Sequence, residues 1–200
     1  MLENLLHAEK SPELAMQLAG GLWWILALVW IVMAFATKKV KRTETPFERV
    51  LHLVPLFIAF RLLFGRVQPF PWLFVSLLPS RPLFWWLGVA ITASGMVISI
   101  WARLSLGTNW SGMVTLKDNH ELIRNGLYRH IRHPIYTGIL LGAIGTGMIH
   151  GQLRDLLCFA ILYVTFYFKA KREESFLQQE FGPSFVEHQS HTGMFWPKLS

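Results

Sequence analysis

The sequence predicts an all-α, polytopic integral membrane protein with about five transmembrane helices. Hydrophobic residues make up 52% of the 200 residues and charged residues only 16%, whereas about a quarter of a typical soluble domain is charged. Several apolar stretches reach the roughly 17 to 25 residues that are needed to cross a bilayer. Lys and Arg cluster at the ends of these stretches, which is typical of membrane topology signals.

The positions of the charges exclude a nucleic-acid surface, although the formal net charge is +7. The single cysteine, Cys158, excludes an internal disulfide and a Cys-rich metal site. Two HxxH spacings, His130/His133 and His188/His191, are compatible with metal ligation. Membrane oxygenases need more histidines than these, and His133 precedes a proline. We therefore expect neither a nucleic-acid partner nor a metal.

The first half of the chain is predicted to contain three spans. Residues 1–19 form either an interfacial helix or a loosely ordered lead-in, because three glutamates accompany the leucines there. Span one covers residues 20–37 and ends at a basic cluster, and span two covers residues 50–65. Four prolines in residues 66–82 predict a loop or a re-entrant segment. Span three covers residues 83–106.

Small residues in the spans predict close contacts between helices. Ala93, Ser94 and Gly95 give span three a narrow surface. The glycines at 142, 145, 147 and 151 include a GxxGxG pattern that resembles a dinucleotide-binding loop. That loop requires a preceding strand and a following helix, and the surrounding pattern contains neither. We therefore interpret these glycines as packing positions.

The second half contains two further spans, and the basic residues orient them all. A polar stretch at residues 107–134 precedes span four at residues 135–150, and span five covers residues 153–168 before a strongly charged helix end. With five spans, fourteen of the nineteen Lys and Arg residues fall on one face and four on the other. The positive-inside rule then predicts an N-terminus outside and a C-terminus in the cytoplasm.

The polar, basic stretch HELIRNGLYRHIRHPIYTG lies between two of the apolar runs, from His120 to Gly138. Ionisable groups held near a bilayer are a functional-site hypothesis by default. Pro134 suits the first turn of span four, so that the residues before it lie at a positive helix end that attracts anions. We therefore predict that this segment forms the floor of an active site.

The adjacent carboxylates Glu173 and Glu174 follow the basic end of span five. They form either exposed i, i+4 pairs with neighbouring lysines, which contribute little to stability, or part of the site. Spacing alone favours the surface pairs.

The motifs GTNWSG, HELIRNGLY, RHPIYTG, KREE and EFG occur in this order from residue 106 to the C-terminus. Together they resemble the isoprenylcysteine carboxyl methyltransferase family, within the wider group that includes phospholipid N-methyltransferases. The resemblance implies a membrane methyltransferase that uses S-adenosylmethionine without a Rossmann domain. It also implies a cytoplasmic cofactor pocket formed by the C-terminal half, with N-terminal transmembrane helices at 1–106 and a catalytic region at 107–200.

The resemblance also implies roles for individual residues. Lys169 would contact the substrate carboxylate, and Arg132 is a further candidate for that contact. Independently of the resemblance, an amine acceptor would need a general base, for which Glu174 and His133 are the candidates. The family has tyrosines where this chain has Phe185 and His188, so the acceptor is open. The implied cofactor contacts are His120, Glu121, Leu122, Ile123, Tyr128, His133, Pro134, Ile135, Tyr136 and Glu173.

Four functions are compatible with these motifs. The first is methylation of the carboxylate of a lipophilic small molecule or lipidated acceptor by an enzyme whose other partners are membrane lipids. A carboxylate is already nucleophilic and needs only an orienting cation. The second is N-methylation of a phospholipid or other amine, which requires a general base. A sterol-reductase-like enzyme using NADPH and a non-catalytic scaffold are the third and fourth.

Overall fold

The computed structural model describes residues 2–34, 40–42, 46–65, 70–107, 116–117 and 122–198. Within these ranges the chain is almost entirely helical. The helices are α1 Leu2–Ala34, α2 Pro46–Phe64, α3 Pro82–Leu106, α4 Pro134–His150, α5 Leu153–Phe181 and α6 Pro183–His191. Two short strands, β1 Val40–Arg42 and β2 Leu116–Lys117, pair in antiparallel fashion.

Prolines and glycines set the helix boundaries around the site. Pro82, Pro134 and Pro183 each occupy a first helical position, where the missing N–H costs no hydrogen bond. Gly151 ends α4 in the left-handed conformation with φ 65°, and its N–H donates to the Gly147 carbonyl at 2.7 Å. Gly151 is therefore a helix cap as well as a packing position, because a Cβ added there would lie 3.0 Å from the Leu78 Cβ.

Each predicted span coincides with a helix, although only some of these helices are both long enough and apolar enough to count as candidate spans. Pro12–Ala34 and Pro82–Leu106 meet the requirements of length and apolarity, and Val50–Phe64 is a shorter apolar helix. The 17 residues of α4 are at the lower limit for a span. The structure thus supports an all-α architecture with apolar spanning helices, while the count of five and the orientation stay predictions.

The first helix is longer than the sequence pattern predicts. Its backbone is helical from Leu2, so residues 2–19 form neither a separate interfacial helix nor a loose lead-in. Ala15 and Ala19 are completely buried and belong to the same cluster as Trp85. These two small side chains, four residues apart, let the early part of α1 pack closely. That packing overrides the polar composition of the segment.

Glycine allows α3 and α4 to pack with their backbones in contact. A Cβ added at Gly88 would lie 2.5 Å from the Gly145 carbonyl oxygen, and one at Gly95 would collide with the backbone of Gly138 and Gly142. Ser94 is exposed, so Gly95 makes the contact predicted for this group. The packing role predicted for Gly142 and Gly145 is confirmed. The result is a rigid seam from which the start of α4 projects toward the site.

Candidate functional site

The candidate site lies where the start of α4 meets the charged end of α5, with α6 and the residues after it on the third side. We call residues 192–195 the C-terminal strap. The N–H groups of Arg132 and His133 donate to the carbonyls of Gly193 and Met194 at 2.9 and 3.0 Å. Thr137 Oγ1 donates to the Phe195 carbonyl at 2.6 Å. The strap therefore caps the beginning of α4.

The surroundings of the start of α4 include two anionic groups of the protein itself. The sequence predicts that the residues before Pro134 lie at a positive helix end that attracts anions. The N–H groups of Arg132 and His133 bond to strap carbonyls, while the His133 side chain lies between the carboxylates of Glu173 and Glu174. Binding of an anionic ligand at this helix end stays a prediction.

His133 lies between two carboxylates. Its Nε2 is 3.2 Å from Glu174 Oε1 and its Nδ1 is 3.4 Å from Glu173 Oε2. The imidazole has two donors only when it is protonated, so the imidazolium form satisfies both contacts. Tyr136 donates its hydroxyl proton to the other oxygen of Glu173 at 2.6 Å. The interpretation of Glu173 and Glu174 as exposed surface pairs is therefore wrong.

Glu174 is saturated by protein donors. Arg132 Nε donates to its Oε1 at 2.7 Å, and Gln189 Nε2 donates to its Oε2 at 3.1 Å, in addition to the contact with His133. The side chain is 5% exposed, whereas that of Glu173 is 24% exposed. The two neighbouring carboxylates thus have different environments, and Glu173 is the one that retains access from outside.

The charges in this cluster stabilise one another. Burial alone would lower the pKa of His133, but the hydrogen bonds and charges of the two carboxylates outweigh burial and raise it. Burial would also raise the pKa of each carboxyl. The hydrogen bond from His133, followed by the charge of Lys169, instead lowers the pKa of Glu173. The hydrogen bonds from His133 and Arg132 lower the pKa of Glu174 to about 2.

Arg132 serves mainly as an anchor for the strap. Besides its bond to Glu174, one terminal nitrogen contacts the Thr192 carbonyl, the Thr192 hydroxyl at 3.4 Å and the Gln189 carbonyl at 3.4 Å. Its side chain is only 10% exposed. Because these contacts use guanidinium nitrogens of Arg132, Lys169 is the better candidate for the predicted contact with a substrate carboxylate.

Aromatic rings form the apolar wall of the site. Tyr136 stacks on His133, with ring centroids 5.5 Å apart, and on Phe166, with centroids 4.6 Å apart. Phe195 from the strap meets Tyr136 edge-on at 6.4 Å. The ammonium of Lys169 lies 5.8 Å from the centre of the Tyr136 ring, within cation–π range. Tyr136 thus contacts the predicted residues His133 and Glu173 and has Lys169 within cation–π range.

Three of the remaining predicted cofactor residues pack together in a cluster behind this wall. Tyr128 and Ile135 are buried in one cluster with Ala102, and Ile123 packs against it. The Tyr128 hydroxyl donates to the Ala102 carbonyl at 3.4 Å, and burial followed by the charge of Glu173 raises its pKa. Leu122 is half-buried and Pro134 is buried at the first turn of α4, whereas His120 and Glu121 lie outside the described residues.

Sequence reasoning missed Phe166, Gln189, Thr192 and Phe195. Phe166 lies seven residues before Glu173, a helical spacing that places both on one face of α5 and that was a usable signal. Gln189, Thr192 and Phe195 carry no local signal, because their partners lie 15 to 60 residues away in the chain.

The two positions at which the sequence departs from the family pattern are buried on α6. Phe185 is 1% exposed and His188 is 8% exposed. Burial, followed by the charges of Arg124 and Arg132, lowers the pKa of His188, so its imidazole is neutral near pH 7. In the described part of the chain no three His, Cys, Asp or Glu residues are grouped as metal ligands. The absence of a metal nevertheless stays a prediction.

Comparisons with known proteins identify a family and several relatives of similar sequence. The family model for phospholipid methyltransferases matches residues 83–184, just over half of the chain. A probable protein-S-isoprenylcysteine O-methyltransferase of Oryza sativa subsp. indica is 30% identical over 126 residues, which is 59% of this chain and 66% of that protein. The cobalt-zinc-cadmium resistance protein CzcN of Cupriavidus metallidurans is 30% identical over 152 residues, covering 76% of this chain and 63% of that protein.

A solved structure has the same fold. The eukaryotic intramembrane Ras methyltransferase, isoprenylcysteine carboxyl methyltransferase, superposes with a TM-score of 0.52 over 92% of this chain and 67% of that chain, at 23% identity. The alignments span less than two thirds of the rice protein and of CzcN. The matched region of residues 83–184 covers nearly all of α3 and the whole of α4 and α5. It therefore includes the glycine contacts between α3 and α4, as well as His133, Glu173 and Glu174.

Proposed function

The chain belongs to the phospholipid methyltransferase family, and from the site we propose that it is an integral membrane, S-adenosylmethionine-dependent methyltransferase acting on the carboxylate of a lipophilic acceptor. The curated rice relative carries the name of an isoprenylcysteine O-methyltransferase, and such a thioether-linked prenyl cysteine has the required combination of an apolar tail and a carboxylate. A lipidated protein or a lipophilic small molecule meets the same requirement.

The observation that carries the proposal is the saturation of Glu174. An amine acceptor is protonated near neutral pH and must lose its proton before it attacks a methyl group. With a pKa of about 2 and three donors already bound, Glu174 is a poor base. His133 cannot accept a proton while both ring nitrogens face carboxylates as donors. A carboxylate acceptor needs no base, which favours O-methylation.

The donor set fits S-adenosylmethionine. Glu173 is partly exposed and anionic, which suits a cationic ligand, and the Tyr136 hydroxyl bonded to it lies at the same place. When bound, the cofactor supplies a methyl group on a positively charged sulfur. His133, Tyr136 and Glu173 would hold it, with Ile123, Tyr128 and Ile135 behind them. The predicted contacts of His120, Glu121, Leu122 and Pro134 complete the set.

Lys169 is the residue that we assign to the acceptor. Its ammonium lies over Tyr136 and its charge is felt by Glu173, so it stands beside the cofactor residues. A point charge on a flexible stem orients a carboxylate without the rigid fork of arginine. Arg132 and Glu174 would act behind it by fixing the strap and the position of His133. With the orientation predicted from the basic residues, the site opens to the cytoplasm.

N-methylation of a phospholipid amine is the second candidate, because the matching family is described as phospholipid methyltransferase and an amine headgroup is an acceptor of that class. The test is to incubate the purified full chain with S-adenosylmethionine carrying a labelled methyl group, separately with N-acetyl-S-farnesyl-cysteine and with phosphatidylethanolamine vesicles. The proposal expects label on the cysteine derivative, released as methanol by mild alkali as only an ester permits. It also expects a rate that is flat from about pH 6 to 8, because a carboxyl pKa lies far below that range.

Alkali-stable label on phosphatidylethanolamine, with a rate that rises with pH, would replace the proposal with N-methylation. Binding of NADPH without binding of S-adenosylmethionine or its demethylated product would move the protein to the sterol-reductase-like reading.

A further inference from the structure

An apolar cavity of about 650 Å³ lies between α1, α2 and α4. This volume falls within the range of small-molecule sites. Along α1 the lining extends from Gly20 to Ile31, which at 1.5 Å per residue is about 16 Å. The lining residues are Gly20, Trp23, Trp24, Leu26, Ala27, Trp30, Ile31, Phe60, Phe64 and Ile139.

The lining offers hydrocarbon rather than hydrogen bonds. The indole N–H of Trp23 donates to Thr146 Oγ1 at 3.0 Å, so it is already satisfied by the protein. Phe60 and Phe64 meet the Trp23 ring edge-on at 5.3 and 5.9 Å, which holds the ring in place. A polar occupant would lose its own hydrogen bonds to water in such a cavity. An apolar chain fits it.

One end of the cavity reaches the candidate site. Trp30 and Ile139 line the cavity and also pack against the cluster of Ala102, Tyr128 and Ile135, as Tyr136 does. Ile139 follows Tyr136 by three residues, and so lies on the same face of α4 one turn deeper. A molecule whose polar end lies near Tyr136 therefore has an apolar cavity within one helical turn of that residue.

Most of the lining comes from α1 and α2, which precede the matched family region of residues 83–184. The methyl-transfer residues thus come from the shared part of the chain and this cavity from the part outside it. We propose that the cavity holds the apolar tail of the methyl acceptor and that the open space at Gly20 sets the longest tail accepted. This inference rests on the proposed function, because it assigns the tail of that same acceptor.

Two adjacent glycines provide a matched test. Gly20 lines the cavity and Gly21 does not, and a Cβ added at either meets no atom within 4 Å. Leucine at either position therefore collides with nothing near its Cβ, and both substitutions favour the helix, since glycine is a poor helix former. Gly20→Leu narrows the cavity at its far end, whereas Gly21→Leu adds the same side chain to an exposed position.

The probes are N-acetyl-S-geranyl-, S-farnesyl- and S-geranylgeranyl-cysteine, assayed for methylation by the full chain and, without S-adenosylmethionine, for binding by Trp fluorescence. Gly20→Leu should raise KM and Kd for the geranylgeranyl probe by about tenfold, as expected when about two methylenes lose their burial. It should change the geranyl values less than about twofold, and Gly21→Leu should leave the wild-type length profile unchanged.

A length profile of Gly20→Leu that matches wild type overturns the tail assignment while methylation itself stands. The same holds if both leucine variants shift all three probes equally, because the effect would then depend neither on the cavity lining nor on the length of the tail. Failure of wild type to methylate any probe while it binds S-adenosylmethionine overturns the proposed acceptor instead. The two failures are therefore distinguishable.

Discussion

Replacing Glu174 by glutamine should destabilise the fold in a way that depends on pH. The pKa of Glu174 is about 2 in the folded protein against 4.5 for an ordinary glutamate. At 1.36 kcal/mol for each pH unit, this difference is equivalent to about 3 kcal/mol of stability at neutral pH. Breaking a buried charge pair typically costs about 3–5 kcal/mol, which agrees. Glu174→Gln should therefore lower the free energy of unfolding by about 3 kcal/mol at pH 7.

The way in which this stability difference changes with pH tests whether the lowered pKa of Glu174 is its cause. Because the folded-state pKa is lowered, the stabilisation is complete above pH 4.5 and is lost as the pH falls toward about 2. The gap between wild type and Glu174→Gln should therefore shrink as the pH falls from about 4.5 to about 3. Unfolding in mixed micelles, followed by circular dichroism, measures the stability loss at pH 7 and its change at lower pH.

Glu187 provides the matched control for this experiment. Its side chain is 68% exposed and pairs with Arg124 at 3.5 Å, so Glu187→Gln should change stability by about 0.5 kcal/mol or less. Equal losses at the two positions, or a Glu174→Gln deficit that stays constant as the pH is lowered, would refute the reasoning from the buried cluster.

Three other predictions follow from the site. Glu173→Gln should weaken binding of S-adenosylmethionine or its demethylated product by about 1.5–3 kcal/mol in calorimetry, as for a lost charge-assisted hydrogen bond, and unchanged affinity would remove Glu173 from the cofactor site. Lys169→Met should lower turnover with nearly unchanged cofactor affinity, and Lys169→Arg should restore part of the rate; a fully active Lys169→Met would exclude that role. A cysteine introduced beside Lys198 should react with an impermeant thiol reagent only from the cytoplasmic side, and labelling only from outside would reverse the topology.

The sequence predicts the parts of the site that are short-range. The motif around Pro134 places His133 and Tyr136 within one turn, and the helical spacing in α5 places Lys169 and Glu173 on one face. These four residues are brought together as predicted, although their roles stay predictions. The role of Glu174 was harder to read, because an acidic residue near lysines has the same spacing whether it faces solvent or the interior.

The long-range parts were not predictable from the sequence. The strap has no periodicity, and Phe195 reaches Thr137 across 58 residues. The acidic residues in the early part of α1 resemble those of a surface segment. Its packing against Trp85 depends on the small side chains Ala15 and Ala19, and their effect can be recognised only once the position of α3 is known. In both segments the local sequence has little preference for one conformation, and a contact with an element distant in the chain determines which conformation forms.

The strap also sets the order in which the protein matures. At about 5–20 residues per second, a ribosome makes Phe195 roughly 3 to 12 seconds after Thr137. During that interval Arg132 and Glu174 lack their partners Thr192 and Gln189. The cluster that fixes His133 is therefore completed only when the last residues of the chain have been made. A chain stalled before residue 192 would contain α4 and α5 without the contacts that Arg132 makes with Thr192.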